Sequence, residues 1–90
     1  MSNTISRTTT GAFVAGPASV GAVTLVAGGA TATCQITDAT AGGGSVDIVT
    51  NLSTAANGSV SIPFKGVDAQ DGVYLEAIAG SGATVIVELL

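Results

Sequence analysis

The chain has 90 residues, of which 47% are hydrophobic and only 9% are charged, and its formal net charge is −4. A typical soluble domain carries roughly 25% charged residues, so the polar character of this chain comes from Ser, Thr, Gly and Asn instead. Its two basic residues, Arg7 and Lys65, release too few counterions to hold a phosphate backbone, and the negative charge argues against an anionic membrane surface. These features predict a single domain without nucleic-acid or membrane partners.

Apolar and polar residues alternate with period two along most of the chain, as in half-buried β-strands. Val, Ile and Thr dominate these blocks, and β-branched residues pack well in pleated sheets. Together with the Gly, Pro and Asn turns between them, the blocks predict strands near 4–9, 11–15, 20–26, 30–37, 45–52, 58–64, 73–79 and 83–89. Seven or eight short strands, joined by connections too short for parallel crossovers, predict an all-β fold, a small antiparallel β-sandwich or jelly-roll-like domain.

Three positions in the middle of the chain carry specific local predictions. Asn57-Gly58 is the strongest short hairpin signal, because both residues tolerate positive φ. Pro63 lies inside its predicted strand and cannot donate a ladder hydrogen bond, so this strand is expected at a sheet edge or locally bulged. Lys65, which precedes Gly66, is predicted to lie in a loop.

The last strand is apolar on both faces. One face is formed by Ala83, Val85, Val87 and Leu89, and the other by Thr84, Ile86, Glu88 and Leu90. Because such a strand is normally covered on both sides, either a neighbouring subunit or the N-terminal arm of the same chain is expected over the second face. We therefore divide the chain into an N-terminal arm or first strand, 1–10, and a single β-sandwich domain, 11–90.

The residues that usually perform catalysis or bind metals are scarce. There is no His, and no partner that activates a Ser or Thr is identifiable, so no enzyme activity, metal or cofactor is expected. Cys34 is the only cysteine, which excludes an intrachain disulfide, and its alternation with Ala32 and Ile36 predicts a buried core position.

Two acidic or glycine-rich segments resemble binding loops only superficially. Residues 68–72 with Glu76 have the wrong spacing for a cation loop and are predicted to form a solvated turn. Asp38 is expected to cap a turn through its own neighbouring backbone. The triple glycine at 42–44 lacks the following Lys and helix of a phosphate-binding loop.

The aromatic residues are Phe13, Phe64 and Tyr74. Phe64 has the parity of the buried side of its strand and is expected in the core. Tyr74 opposes Val73 in parity, which leaves two interpretations open: a Tyr that lies across its own sheet, or an outward Tyr that forms a contact anchor beside Ile78.

The N-terminal segment also bears on location. Residues 1–10 are polar and lack the apolar core of a signal peptide, and no apolar run reaches the ~18 residues that span a bilayer. Synthesis and use without export are therefore expected. The arm, with Ile5 and Arg7 among four Thr, is expected to lie on a partner and add a strand to it.

The order of several motifs resembles a known protein family. A Gly16-Pro17 break is followed by the strand 20–25, and then come the segments Ala27–Thr33, Ile36–Thr40 with a Gly-rich loop, Asp71–Leu75 and Gly80–Val85. Over about residues 14–90 this order is similar to the small virion proteins of tailed bacteriophages, in particular head decoration or cement proteins. The resemblance implies an all-β protein, commonly a trimer on the outer capsid, that clamps neighbouring capsomers and has no catalytic residues.

Composition and resemblance together predict a function. We expect a non-enzymatic virion protein, made in the host cytoplasm, that decorates the capsid exterior as a homotrimer and stabilises it by bridging capsomers of the major capsid protein. The alternatives are a tail or neck component and a fibre-associated β-module that binds carbohydrate. The candidate partner contacts are Ile5, Arg7, Phe13, Tyr74, Ile78, Ile86 and Leu90.

Overall fold

The computed structural model describes residues 3–90, and only the backbone of Asn3 and Lys65. The strands are β1 (Asn3–Arg7), β2 (Gly11–Val14), β3 (Ala18–Val26), β4 (Ala32–Thr37), β5 (Asp47–Thr54), β6 (Ser59–Ala69), β7 (Val73–Ala79) and β8 (Thr84–Leu89). The all-β prediction is confirmed, and residues 3–90 contain no helix. Every predicted strand has a counterpart whose bounds shift by at most two residues, except at the C-terminal end of β6.

The strands form two antiparallel four-stranded sheets. The order is β1-β8-β3-β6 in the first sheet and β2-β7-β4-β5 in the second. Apart from the β4–β5 hairpin, every connection in the described chain passes from one sheet to the other. Eight strands wound in this way make a jelly roll, which confirms the predicted sandwich architecture.

The hairpin prediction at Asn57-Gly58 is wrong. The flanking strands belong to different sheets, so they do not pair. The segment is instead a β-turn in which the Gly58 amide donates to the Ala55 carbonyl at 3.0 Å and Asn57 has a φ of 62°. The turn is held against the β3–β4 connection, because the Asn57 amide donates to the Gly28 carbonyl at 2.7 Å. Asn57 therefore permits a change of direction between sheets.

The strand that contains Pro63 lies at the edge of the first sheet, as predicted. β6 is longer than expected and includes Lys65 and Gly66, which corrects the loop predicted there. The register passes from Val20 opposite Val67 to Ala22 opposite Pro63, so β6 bulges between these pairs. Gly66 has a φ of 95°, a left-handed conformation that continues the strand through the bulge.

The core lies between the sheets and follows the period-two pattern. The largest fully buried side chains are Leu25, Ile36, Leu75, Val20, Val23, Val73, Val85, Val87 and Thr37. Cys34 is 2% exposed, which confirms the predicted core position, and burial raises the pKa of its thiol to about 11. Phe64 is partly buried and packs against this core.

The N-terminal arm lies beside β8 instead of over it. β1 pairs antiparallel with β8 from Asn3 opposite Leu89 to Arg7 opposite Val85, so its strand is added to the chain's own sheet. β8 is thereby a central strand, with β3 on its other side. Residues 3–7 of the arm extend the sheet and do not cover the second face of β8. Residues 1–2 of the predicted arm lie outside the described residues.

Candidate interaction face on the first sheet

The outward side chains of the first sheet align in three rows. Val23 and Leu25 of β3, like Val85 and Val87 of β8, are buried, so the residues between them point away from the core. The registers give a central row of Ser6, Ile86, Thr24 and Ser61, a second row of Thr4, Glu88, Ala22 and Pro63, and a third of Thr84, Val26 and Ser59. We call these three rows, together with Leu90, the outer face.

The outer face carries very little charge. Glu88 is the one charged side chain in its three rows, and the others are small, hydroxyl-bearing or aliphatic. The hydroxyls of Thr24 and Ser61 lie 3.0 Å apart and hydrogen-bond to each other, so they already have a partner. Because a surface with few charges costs less free energy to desolvate than a strongly charged one, this face is suited to contact with another protein.

Leu90 forms an apolar projection at one side of the outer face. Its amide donates to the Ser19 carbonyl at 2.9 Å, which fixes the backbone next to β3, and its side chain is 62% exposed. The side chain lies over two glycines: a Cβ at Gly21 would be 2.9 Å from Leu90 Cδ2, and one at Gly66 would be 3.4 Å from Cδ1. β3 shifts register at Gly21, between Val20 opposite Leu89 and Ala22 opposite Glu88, and β6 bulges around Gly66, so the side chain of Leu90 rests on two positions that lack a Cβ.

The predicted contacts at the two ends of the chain divide into two groups. Ile86 and Leu90 belong to the outer face. Ile5 lies opposite the buried Val87 and packs against the core, so it faces inward. The guanidinium of Arg7 donates to three backbone carbonyls of residues 9–12, at 3.1, 3.2 and 3.4 Å, and thereby ties together the connection between β1 and β2.

The predicted contacts in the middle of the chain are not together on one surface. Phe13 is 7% exposed and belongs to the core, which removes it from the set of surface contacts. Tyr74 is half-buried on the second sheet, whereas Ile78 lies opposite Cys34 and packs against the core. The reason is a bulge: β7 carries one extra residue, Glu76, relative to β4, which reverses the alternation between the two positions.

Glu76 holds the glycine loop 42–44 against the second sheet. One carboxylate oxygen accepts the Gly43 amide at 2.9 Å, and the other accepts the Thr37 hydroxyl at 2.9 Å and the Gly44 amide at 3.1 Å. The pKa of Glu76 is lowered, mainly by the Gly43 hydrogen bond and then by that of Gly44, against a smaller opposing effect of burial. The loop amides that a phosphate site would direct at a ligand are directed here at the chain's own carboxylate.

Asp38 performs a similar role at the same end of the sandwich. Its carboxylate accepts the amides of Gln70 and Asp71, both at 2.8 Å, and of Gly72 at 3.1 Å. The expectation that Asp38 caps its own turn is therefore wrong, because its partners lie more than thirty residues away in sequence. The Gln70 hydrogen bond, followed by that of Asp71, lowers the pKa of Asp38. Sequence reasoning missed both carboxylate contacts, since it identified the acidic residues and turns without indicating which turn each acid reaches.

We expect these two carboxylates to make the fold acid-sensitive. Their folded-state pKa values lie below ordinary values of about 3.9 for Asp and 4.3 for Glu, so the folded state binds fewer protons than the unfolded chain. Their contribution to stability is present above the ordinary values and is lost as pH falls through the lowered folded values. The melting temperature of the wild type should therefore decrease as the pH is lowered below about 4. Between pH 7 and pH 3, the melting temperature of the double variant Asp38→Asn, Glu76→Gln should decrease less than that of the wild type.

At pH 7 the single variant Asp38→Asn should cost about 1 kcal/mol and lower the melting temperature by roughly 4–8 °C, since one hydrogen-bonded carboxylate is replaced by an amide. Asp71→Asn is the matched control: it removes one charge from the adjacent loop but keeps the backbone amide that donates to Asp38. Its melting temperature should stay within about 3 °C of the wild type. If the melting temperatures of the wild type and of the double variant Asp38→Asn, Glu76→Gln decreased equally between pH 7 and pH 3, this would contradict the role of the two carboxylates.

One open depression of about 410 Å³ lies at an end of the sandwich, lined by Pro17, Ala18, Asp68, Ala69 and Gln70. Asp68 is the one ionisable side chain in this lining. Among the described residues, no group of three or more His, Cys, Asp or Glu side chains gathers as a metal site.

Comparisons of the chain with protein-family models, with curated proteins and with solved structures gave no match. Within residues 3–90, no helix has the length and apolar character needed to cross a membrane.

Proposed function

We propose that this chain is a structural protein of a bacteriophage virion that decorates the capsid exterior. In this proposal it is made in the host cytoplasm, assembles as a homotrimer and bridges neighbouring capsomers of the major capsid protein. It acts by burying surface and not by catalysis. The observation that carries the proposal is the nearly uncharged outer face of the first sheet, in whose three rows Glu88 is the one charged side chain.

The dimensions of the molecule support contact through a broad side. Its extents are 34 × 28 × 17 Å, so it is a flat body whose two wide sides are the faces of the sheets. An ellipse with the two longer axes covers about 750 Å², close to the roughly 800 Å² that each partner buries in a stable interface. A jelly roll is also an architecture of viral capsid domains, which is an analogy of fold and not of function.

The proposal is tested by binding to empty shells of the phage's major capsid protein. The wild type should cosediment with the shells and raise their heat resistance. Ile86→Lys places a charge in the centre of the outer face and should weaken binding by about tenfold or more, because the ammonium loses its hydration in the contact. Ser61→Lys, at an exposed position in the same row, tests the same face if Ile86→Lys folds poorly.

Thr50→Lys is the control, since it adds the same charge at an exposed position of β5 in the second sheet. It should bind the shells like the wild type. Failure of the wild type to bind would reject the proposal, and equal binding by all three lysine variants would show that the outer face is not the contact. The number of copies per virion, which is much larger for a capsid decoration than for a tail or neck component, separates these two locations.

A carbohydrate-binding module of a tail fibre is the second candidate. It is favoured by the depression described above, where Asp68 and Gln70 offer a carboxylate and an amide to sugar hydroxyls. A glycan array tests it directly. Binding that is lost in Asp68→Asn supports this function, and an array without signal removes it.

A further inference from the structure

The four edge strands of the two sheets differ in how well they are protected against pairing with another chain. β6 contains Pro63 and a bulge, β2 has only four residues and a register shift, and β5 pairs with β4 through two register shifts. β1 pairs with β8 through all five of its residues without a shift. Proline, bulges and short length prevent edge-to-edge pairing, whereas a regular edge offers a row of backbone donors and acceptors to a further strand.

The side chains of β1 also suit contact between two copies. Thr4 and Ser6 are exposed and uncharged, and Ile5 is partly buried against the core. The guanidinium of Arg7 is already engaged by the carbonyls of residues 9–12. Residues 1–10 contain no carboxylate, although the whole chain has a net charge of −4. Two copies that meet at this strand therefore bring no carboxylate of residues 3–7 against another.

We propose that β1 pairs antiparallel with β1 of a second copy, about a two-fold axis through Ile5, so that two four-stranded sheets become one eight-stranded sheet. This register pairs all five residues and keeps the inward and outward sides of both strands aligned, because it shifts no residue to the other face. The interface is isologous, since the same five residues are used by both copies. Thr4 of each copy lies opposite Ser6 of the other.

The inference goes beyond the proposed function, because it describes how copies join and does not depend on a capsid partner. The contact is distinct from the three-fold contact of the proposed trimer, since a two-fold axis joins only two copies. Pairing of the two β1 strands would place the outer faces of the two copies side by side as one continuous surface. A five-residue strand pair makes about four to six backbone hydrogen bonds, so we expect a weak dimer with a Kd on the order of 10–100 µM.

Two double variants test the register with the same pair of positions. The Lys/Lys variant, which combines Thr4→Lys with Ser6→Lys, places each new ammonium opposite another ammonium across the two-fold axis. The Lys/Glu variant, which combines Thr4→Lys with Ser6→Glu, places each new Lys opposite a Glu. Sedimentation equilibrium should show the wild type and the Lys/Glu variant dimerising between about 1 µM and 1 mM. The Lys/Lys variant should bind at least about tenfold more weakly. Equal melting temperatures of the two variants would establish that folding is not the cause.

Hydrogen exchange supplies a measurement that needs no variant. Backbone amides of residues 3–7 that face the open edge should become more protected as protein concentration rises. A wild type that stays monomeric at 1 mM, or a Lys/Lys variant that dimerises as well as the Lys/Glu variant, would overturn the proposal. A trimer that is insensitive to both variants would also overturn β1 pairing, while shell binding by the same protein would leave the proposed function standing.

Discussion

Gly72→Ala is expected to lower the free energy of unfolding by about 2–4 kcal/mol and the melting temperature by roughly 10–30 °C. A Cβ at this position would lie 2.6 Å from the Val14 carbonyl oxygen and 2.8 Å from that of Ala39. Both atoms belong to the backbone, so no side-chain rotation relieves the overlap. The Gly72 amide also donates to Asp38, and a displaced turn would weaken that hydrogen bond as well.

Gly29→Ala is the matched control for this substitution. No atom lies within 4 Å of a Cβ built at Gly29, and its φ is not in the left-handed region. The change should be neutral or should stabilise the fold by up to about 1 kcal/mol, because alanine restricts the unfolded chain. Thermal denaturation of both variants measures the two changes in melting temperature. Equal losses of stability at the two positions would mean that the close approach of the Val14 and Ala39 carbonyls is not what excludes a side chain at Gly72.

Leu25→Ala is expected to destabilise the fold by about 2–5 kcal/mol. Leu25 is 0% exposed and lies on β3, the central strand between β8 and β6. Removing its terminal carbons leaves a cavity between the sheets that neighbouring side chains fill only in part. Since a domain of this size has a total stability of about 5–15 kcal/mol, a substantial fraction of the molecules should unfold at moderate denaturant concentrations. Chemical denaturation at 25 °C measures the loss.

The same substitution at Leu90 separates stability from binding. Leu90 is 62% exposed, so Leu90→Ala should change the free energy of unfolding by less than about 0.5 kcal/mol. If the outer face binds capsomers, this variant should nevertheless bind shells more weakly than the wild type, because an apolar projection is lost from the contact. If Leu90→Ala lowered the free energy of unfolding as much as Leu25→Ala, Leu90 would belong to the core.

The structure separates the parts that hold the fold from the part proposed to bind. Asp38 and Glu76 use their carboxylates to fix the turns at one end of the sandwich, and Arg7 fixes the first connection between sheets. Three of the chain's few charged residues are thus engaged with its own backbone. The outer face of the first sheet is left flat and nearly uncharged, and its edge at β1 is regular. This division supports both the proposed docking face and the proposed pairing of copies.

Much of the fold could be predicted because strand formation leaves a local signal. The period-two alternation indicated the position of nearly every strand, and Pro63 indicated an edge or bulged strand before the sheet order was known. Cys34 was placed in the core by the same parity. The turn at Asn57 shows the limit of local information: its positive φ marks a reversal of the chain, but nothing in the turn says whether the next strand pairs with the previous one or crosses to the other sheet.

The sequence by itself determined the class of the fold, the position of nearly every strand and the scarcity of charge, because these depend on composition and on period-two alternation. Only the tertiary structure decided which strands pair, which turn each of Asp38 and Glu76 holds, and how the bulge at Glu76 separates Tyr74 from Ile78. These features join residues far apart in the chain. Their free energy comes from contacts that exist only after the sheets have packed, so no local pattern encodes them.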